Sequence, residues 1–405
     1  MDTLDRFLKY VSFPTNSSED STACPSTPNQ LVLAKYIFDE LKALGLEDVR
    51  LSDEGYVYAT VPANCETNAP TIGFIAHMDT SSAAPDSPIK PRVLLYEGGD
   101  ILLNEEQGIT MTAKSYPQLS RYVGHKLVVT DGTTLLGADD KAGVAEIVTM
   151  AERMLRTEEP HGTIRIAFTP DEEVGRGTES FDLDFFHADY AYTVDGGTIG
   201  ELEYECFNGA SAAVEFTGLS THPGSAKNVM KNAALYAAEY TQLLPAHEIP
   251  AETEGYEGFY HLVFMHGSVE SATLKYILRD HDYNRLQARK QMMLDAANEI
   301  NRRYGEGTVK VTLRDAYRNM RDIIEQHMYV VDRAIEAMND LGIKAVTVPI
   351  RGGTDGASLT RRGLPCPNLC TGGENYHSRF EFASIDDMNK CTDLLCRIAL
   401  NAANY

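Results

Sequence analysis

The sequence predicts an α/β protein with a mixed, mostly parallel sheet flanked by helices and a smaller α+β domain inserted into it. Three observations carry this. At 405 residues the chain exceeds what one ordinary core encloses. Its first half alternates helical and strand patterns. Between about 208 and 315 the order becomes β-α-β-β-α-β, the pattern of a ferredoxin-like sandwich. The plan is a discontinuous domain, 1–207 plus 316–405, with a lid of 208–315.

Each element has its own warrant. Leu4 to Val11 is a short amphipathic helix. Pro28 to Leu44 is a longer one, with Thr27 as N-cap, Pro28 at the first helical position and Gly45 as the stop. β-type runs follow near Val49, at Tyr56 to Val61 and at Thr71 to Ala76. The stretch holding Pro85, Pro88, Pro91, Gly98, Gly99, Gly108 and Pro117 reads as loop. A helix from about Lys141 to Leu155 and strands at Thr163 to Phe168 and Tyr190 to Val194 complete the first half. In the lid, Ser211 to Thr217 is a strand and Ala226 to Leu244 a helix. Phe259 to Met265 and Ser271 to Leu278 are strands joined at Gly267. Asp282 to Tyr304 is a long helix and Thr308 to Leu313 a strand. The alternation then resumes with helix Met320 to Leu341, strands Ala345 to Ile350 and Leu364 to Leu369, and helix Ile385 to Ala399.

Bulk properties exclude several functions. The formal net charge of -23 repels nucleic acid and anionic membranes. No apolar run approaches the roughly 18 residues of a membrane span. The start, Met1-Asp2-Thr3-Leu4-Asp5-Arg6, lacks the basic head of a signal peptide. Seven scattered cysteines suit reduced thiols, so a cytoplasmic address is expected. Cys366 and Cys370 lack the second pair that a structural zinc site needs.

Acids and a histidine recur just past the strands. His77 and Asp79 end one apolar run, Asp139-Asp140 follow Leu135-Leu136-Gly137-Ala138, Glu172-Glu173 follow the strand near Phe168, and Asp195 follows Val194. In open α/β sheets ligands bind outside the carboxyl ends of the strands. Carboxylates gathered there repel one another unless cations sit among them. Taken singly, each has a plain structural reading: a helix cap for Asp139 or Asp140, a solvated turn for Glu172-Glu173, a strand-ending turn for Asp195, a loop histidine for His377. Their joint placement points instead to two zinc ions, with cobalt or manganese as substitutes, held by His77, Asp139, Glu173, Asp195 and His377. One carboxylate must bridge such a pair, and Asp139, in a tight turn entering a helix, is the choice. Asp79 lies on the same side of the strand as His77 and is placed to accept its other ring N–H. Glu172 points away from Glu173 and reads as general base, drawing a proton from a metal-bound water.

At these residues the chain resembles the di-zinc exopeptidase family that includes aminoacylases and carboxypeptidase G. The resemblance rests on His77-Met78-Asp79-Thr80, Gly137-Ala138-Asp139-Asp140-Lys141-Ala142-Gly143, Thr169-Pro170-Asp171-Glu172-Glu173-Val174-Gly175 and Val194-Asp195-Gly196-Gly197. Further blocks, at Ser21 to Thr27, Thr221 to Asn228, Glu254 to Leu262 and Arg351 to Ala357, extend it over nearly the whole chain. It implies an aminopeptidase that releases the N-terminal residue of tripeptides. It places His77, Asp139 and Asp195 on one zinc and Asp139, Glu173 and His377 on the other, implies a cis peptide after Asp139, and implies pairing of two copies through the lid. The chain departs at Ser378, where glycine usually follows the histidine; serine fits there if its φ is negative. A peptide carboxylate needs a fixed cation, for which Arg279 and Arg351 are the candidates. His222, in Thr221-His222-Pro223-Gly224, is the candidate donor to the developing oxyanion. The alternative activity is that of a dipeptidase or an N-acyl-amino-acid deacylase with the same metals.

Overall fold

The computed structural model describes residues 1–65 and 68–405. Its contacts divide the chain into two units. The first comprises Met1–Tyr204, Asp322–Val348 and Thr354–Tyr405, the second Glu205–Arg321 and Pro349–Gly353. The expected insertion lies within the second unit, which also takes in Pro349–Gly353, a segment the sequence leaves with the other domain.

The first unit is built on an eight-stranded mixed sheet. Its strands run, edge to edge, Glu47–Leu51, Val57–Val61, Ile164–Thr169, Ile72–His77, Tyr190–Gly196, Asn368–Cys370, Glu201–Glu203 and Val346–Thr347. The central strands 164–169, 72–77, 190–196 and 368–370 are parallel neighbours, so their carboxyl ends share one rim. Strand Ile72–His77 is buried along its whole length, as a central strand covered on both faces must be. On one face Ile75 packs with Phe181, Phe186 and Leu359. On the other Phe74 stacks on Tyr192, whose hydroxyl donates to the Val330 carbonyl of helix Tyr329–Asp340. Buried Arg6 ties the first helix, Thr3–Val11, to Glu40 and Glu152 on the next two.

The second unit is a four-stranded antiparallel sheet in the order Phe259–Gly267, Ser271–Asp280, Asn208–Thr217, Val309–Tyr317. Ala210, Ala212, Val214 and Phe216 alternate inward along the third of these. They pack with Tyr236, Ala237 and Tyr240 of helix Ala233–Thr241 and with Leu286, Met293, Ala297 and Ile300 of helix Tyr283–Tyr304.

Several expected elements differ. Thr27 does not cap its helix; its hydroxyl donates to the Asn16 carbonyl, and the helix is Asn29–Leu44 with Gly45 left-handed at its end. The stretch read as loop contains strands Arg92–Leu95, Ile101–Asn104 and Ile109–Met111, too short for alternation to show. The lid helix starts at Ala233 rather than Ala226, because Leu219 and Lys231 exchange two backbone bonds and draw the preceding residues into a loop. The helix expected over Met320 to Leu341 is two, Arg321–Ile324 and Tyr329–Asp340, parted where His327 N–H turns back to the Ile324 carbonyl. The strand expected over Ala345 to Ile350 is only Val346–Thr347. That over Leu364 to Leu369 begins at Asn368, since Pro365 and Pro367 have no N–H, although their carbonyls accept from Ala191 and Thr193. Helix Asp355–Arg361 has no counterpart in the sequence reading.

Candidate metal centre

The rim gathers the predicted side chains. His77 is the last residue of its strand and Asp195 the penultimate residue of strand Tyr190–Gly196. Glu172 and Glu173 open a short 3-10 turn after strand Ile164–Thr169. Asp139 and Asp140 depart from helical geometry at the head of helix Ala138–Met154, and the peptide between them is cis. That helix lies close on the Asp195 strand because Gly143 has no side chain: a Cβ there would stand 1.9 Å from the Val194 carbonyl oxygen. Left-handed backbone falls on Asn375 (φ 60°) and His377 (φ 59°). Ser378 is not among the residues of positive φ, so the missing glycine is not needed.

Asp139 divides its carboxylate between two histidines. Oδ1 is 2.8 Å from His77 Nε2, and Oδ2 is 3.0 Å from His377 Nε2. Asp195 Oδ1 is 3.4 Å from the same His77 nitrogen, and Glu173 Oε1 is 2.9 Å from the same His377 nitrogen. Two donor sets share one carboxylate. Ions held at about 2.0–2.1 Å by tetrahedral N and O ligands place neighbouring ligand atoms about 3.3 Å apart, close to these separations. Glu173 Oε1 is buried and makes no hydrogen bond despite its nearness to His377, as expected of lone pairs aimed at a common point rather than at each other. Oxygen and imidazole donors with one such orphaned atom fit divalent cations. Asp140 stands near His77 and Asp195 too, but its Oδ2 accepts from His77 N and its Oδ1 from Gly143 N, so it serves the backbone.

Protons compete with cations for this donor set. The bond to Asp139 and the nearby Glu173 carboxylate push the His377 imidazole up to about 11. Burial alone would lower His77, but Asp195, Asp139 and Asp79 hold it well above its ordinary value. Burial raises Glu173 and Asp195 to about 7 each. Burial also acts upward on Asp139, yet the two histidines hold it far below the usual carboxylate range. Glu172 is half-buried, and its carboxylate forms no hydrogen bond among the described residues. Burial lifts it well above the ordinary range, with His77 opposing and Asp355, Asp195 and Glu173 reinforcing.

Asp79 does more than the sequence suggests. His77 Nδ1 is closer to the Asp79 backbone oxygen, 3.0 Å, than to its carboxylate, 3.4 Å. The carboxylate itself accepts from Glu172 N at 2.9 Å and Glu173 N at 3.1 Å, gripping the turn that carries both. Sequence reasoning missed Glu381. It is buried, and it accepts from Leu136 N, Gly137 N and Asp139 N at 2.7, 2.8 and 3.1 Å. Its only sequence signal is its place four residues after His377.

The second unit carries the three substrate candidates. His222 is exposed, with Nδ1 accepting from Gly224 N. Arg279 donates through Nη1 to the Ala210 and Leu278 carbonyls and lies over the Tyr317 ring; its Nη2 makes no hydrogen bond among the described residues. Arg351 is differently placed. Both Nη atoms are spent on Gly255, Glu257 and Thr253, which makes it the clamp of that loop.

The chain has counterparts among known proteins. The family model for peptidase family M20/M25/M40 matches residues 124–401. Peptidase T of Halothermothrix orenii is 50% identical over 397 residues, 98% of this chain and 97% of that protein. A tripeptidase of Staphylococcus aureus matches with a TM-score of 0.79 at 23% identity, over 100% of this chain and 98% of that one. An aminopeptidase of Bacillus cereus matches with a TM-score of 0.74 at 23% identity, over 99% and 98% of the two chains. At that identity the two structures speak for the fold.

Proposed function

The chain belongs to peptidase family M20/M25/M40, and from that premise we propose that it is a metal-dependent aminopeptidase removing the N-terminal residue of tripeptides. The observation that carries the chemistry is the split of Asp139 between His77 and His377. We assign His77, Asp139 and Asp195 to one zinc and Asp139, Glu173 and His377 to a second. Such ions supply Lewis acidity toward the scissile carbonyl and lower the pKa of an attacking water.

The chain's own groups do the rest. His77 donates from Nδ1 to the Asp79 carbonyl, which leaves the Nε2 lone pair facing the donor set. Glu172, with its carboxylate unbonded and its affinity for protons raised, takes a proton from water and passes it to the leaving amine nitrogen. Asp79 holds this base in register through its peptide N–H. His222 is assigned as donor to the oxyanion and Arg279 as partner of the peptide carboxylate, its Nη2 being available. Arg351 is assigned to the loop it clamps, at Thr253, Gly255 and Glu257, rather than to the substrate directly.

Two further readings follow. We place the protein in the cytoplasm; its seven cysteines are all free thiols, and no described helix is long and apolar enough to cross a membrane. We also propose that two copies pair through the second unit. Strand Phe259–Gly267 is a sheet edge, and Val263, Phe264 and Met265 on it are 47, 46 and 52% exposed.

The activity is tested by mass-spectrometric product analysis of zinc-loaded protein given Met-Gly-Gly, Gly-Gly and N-acetyl-methionine together. Free Met and Gly-Gly formed from the tripeptide alone are expected. Cleavage of N-acetyl-methionine with the tripeptide untouched would make the protein a deacylase.

A further inference from the structure

The block Ser21 to Thr27 stands far in sequence from every group assigned to the chemistry, yet its end reaches the turn that carries Glu172. Asp171, directly before that residue, is fully buried and left-handed at φ 57°. Four donors converge on its carboxylate. Ser26 N lies 2.7 Å from Oδ2 and 3.0 Å from Oδ1, Ser26 Oγ donates to Oδ1, Gln30 Nε2 lies 2.7 Å from Oδ1, and Arg176 Nη2 stands 3.5 Å from Oδ2. The bond to Gln30 is reciprocated, since Asp171 N donates to Gln30 Oε1 at 3.1 Å. Ser26 Oγ is itself fixed, accepting from Ser18 N at 2.9 Å. Gln30 is fully buried on the first turn of helix Asn29–Leu44.

This arrangement exceeds what anchoring a loop requires. A left-handed backbone is uncommon for any residue with a side chain, although aspartate tolerates it better than most, and it persists where the surroundings over-determine it. The Gln30 amide sets a donor beside an acceptor and so takes both the carboxylate and the N–H of Asp171. The turn matters because the Glu172 carboxylate has no hydrogen bond of its own among the described residues, so the backbone from which it starts bears on where it can reach. Asp79 holds that backbone from one side and Asp171 from the other.

We propose that Gln30 and Ser26 are positioning residues that aim Glu172, acting through the conformation of Asp171. The inference rests on the reading of Glu172 as general base. A displacement of the base by about 1 Å costs on the order of 100-fold in rate.

The test compares Gln30→Ala, Ser26→Ala and Glu172→Gln in ion-loaded protein, measuring kcat, KM and bound metal by mass spectrometry. Gln30→Ala is expected to lower kcat about 10- to 100-fold while KM and metal content stay at the parental values. Ser26→Ala, which keeps the backbone bonds to both Asp171 oxygens, should lower kcat less. It carries the test if Gln30→Ala does not fold. Adding Gln30→Ala to Glu172→Gln should cost nothing further, because its effect passes through the group already removed. Parental kcat in both single variants, with Glu172→Gln inactive, overturns the positioning role and leaves the base assignment standing. Loss of bound metal in Gln30→Ala also overturns it, since the lock would then serve Glu173. Parental kcat in Glu172→Gln overturns the base assignment and the inference with it.

Discussion

Lowering the pH should strip metal from this centre in a stepped way that its proton affinities define. Each proposed site pairs one histidine of raised proton affinity with one carboxyl lifted to about 7: His377, itself pushed up to about 11, with Glu173, and His77 with Asp195. The shared Asp139 is held far below the usual carboxylate range and contributes no proton. All these groups bind cations only when deprotonated, so the ion at His377 must displace the histidine proton at every pH in this window, and each ion must displace the carboxyl proton as well below about 7. The sign is fixed: raised pKa values mean protons held, and affinity for metal rises with pH. At the His377–Glu173 site, from pH 8 to 7 the histidine proton contributes about tenfold and the half-titrating carboxyl about twofold, together about 20-fold. From pH 7 to 6 the carboxyl contributes about fivefold, together about 50-fold. Calorimetric titration of chelator-stripped protein with zinc, repeated in buffers of different ionisation enthalpy, counts the protons released. For the ion at His377, about one is expected at pH 8 and nearly two at pH 6. Fewer than half a proton at both, or an affinity flat between them, would refute the assignment of these pairs to metal.

The other predictions concern single residues. Glu172→Gln should lower kcat by about 100- to 10,000-fold with zinc content intact by mass spectrometry; zinc lost along with activity would make Glu172 a ligand. Glu381→Gln sets an NH2 group against one of three backbone N–H groups, so it should cost about 1–3 kcal/mol in denaturant unfolding and weaken zinc binding about 10- to 100-fold. Unchanged zinc affinity would reduce Glu381 to a structural anchor. Gly143→Ala puts a Cβ within 1.9 Å of the Val194 oxygen and 2.6 Å of Asp140 Oδ1. It should cost at least about 1–3 kcal/mol and lower zinc occupancy, and a parental melting curve would contradict the close approach. Phe264→Glu should convert a dimer to a monomer by light scattering, with secondary structure unchanged by circular dichroism; a parental dimer would place pairing elsewhere.

How much of this was legible in the sequence depended on what signals each element. Strands buried on both faces, such as Ile72–His77, read as apolar runs, and the β-α-β-β-α-β order of the second unit could be read from its elements. What failed was set by contacts distant in sequence. Thr27 has the side chain of a cap but is taken by Asn16. Residues 226–231 carry no break that announces the bridge between Leu219 and Lys231. The three short strands between Arg92 and Met111 contribute to a small core with Tyr96, Leu119, Tyr122, Leu127, Val129 and Phe382, which no local pattern encodes.

The site divides along a similar line. Histidine, aspartate and glutamate past strand ends were legible because their side chains are the chemistry. The backbone roles of the groups that hold them were not, although Asp79 itself was named as a partner of His77. Asp79 grips two peptide N–H groups, Glu381 three, and Asp171 is itself gripped by Gln30, and a peptide N–H leaves no letter in a sequence. Arg351 is the converse case. A lone arginine before Gly352-Gly353 suggests a free cation for a carboxylate, but its donors meet three backbone carbonyls and a threonine hydroxyl. A sequence can therefore nominate the donors of a metal centre while leaving their geometry undetermined. Here that geometry rests on carboxylates buried at Asp79, Asp171 and Glu381, each spent on orienting a neighbour. Substitutions at such positions should alter rate or affinity before they alter the identity of any ligand.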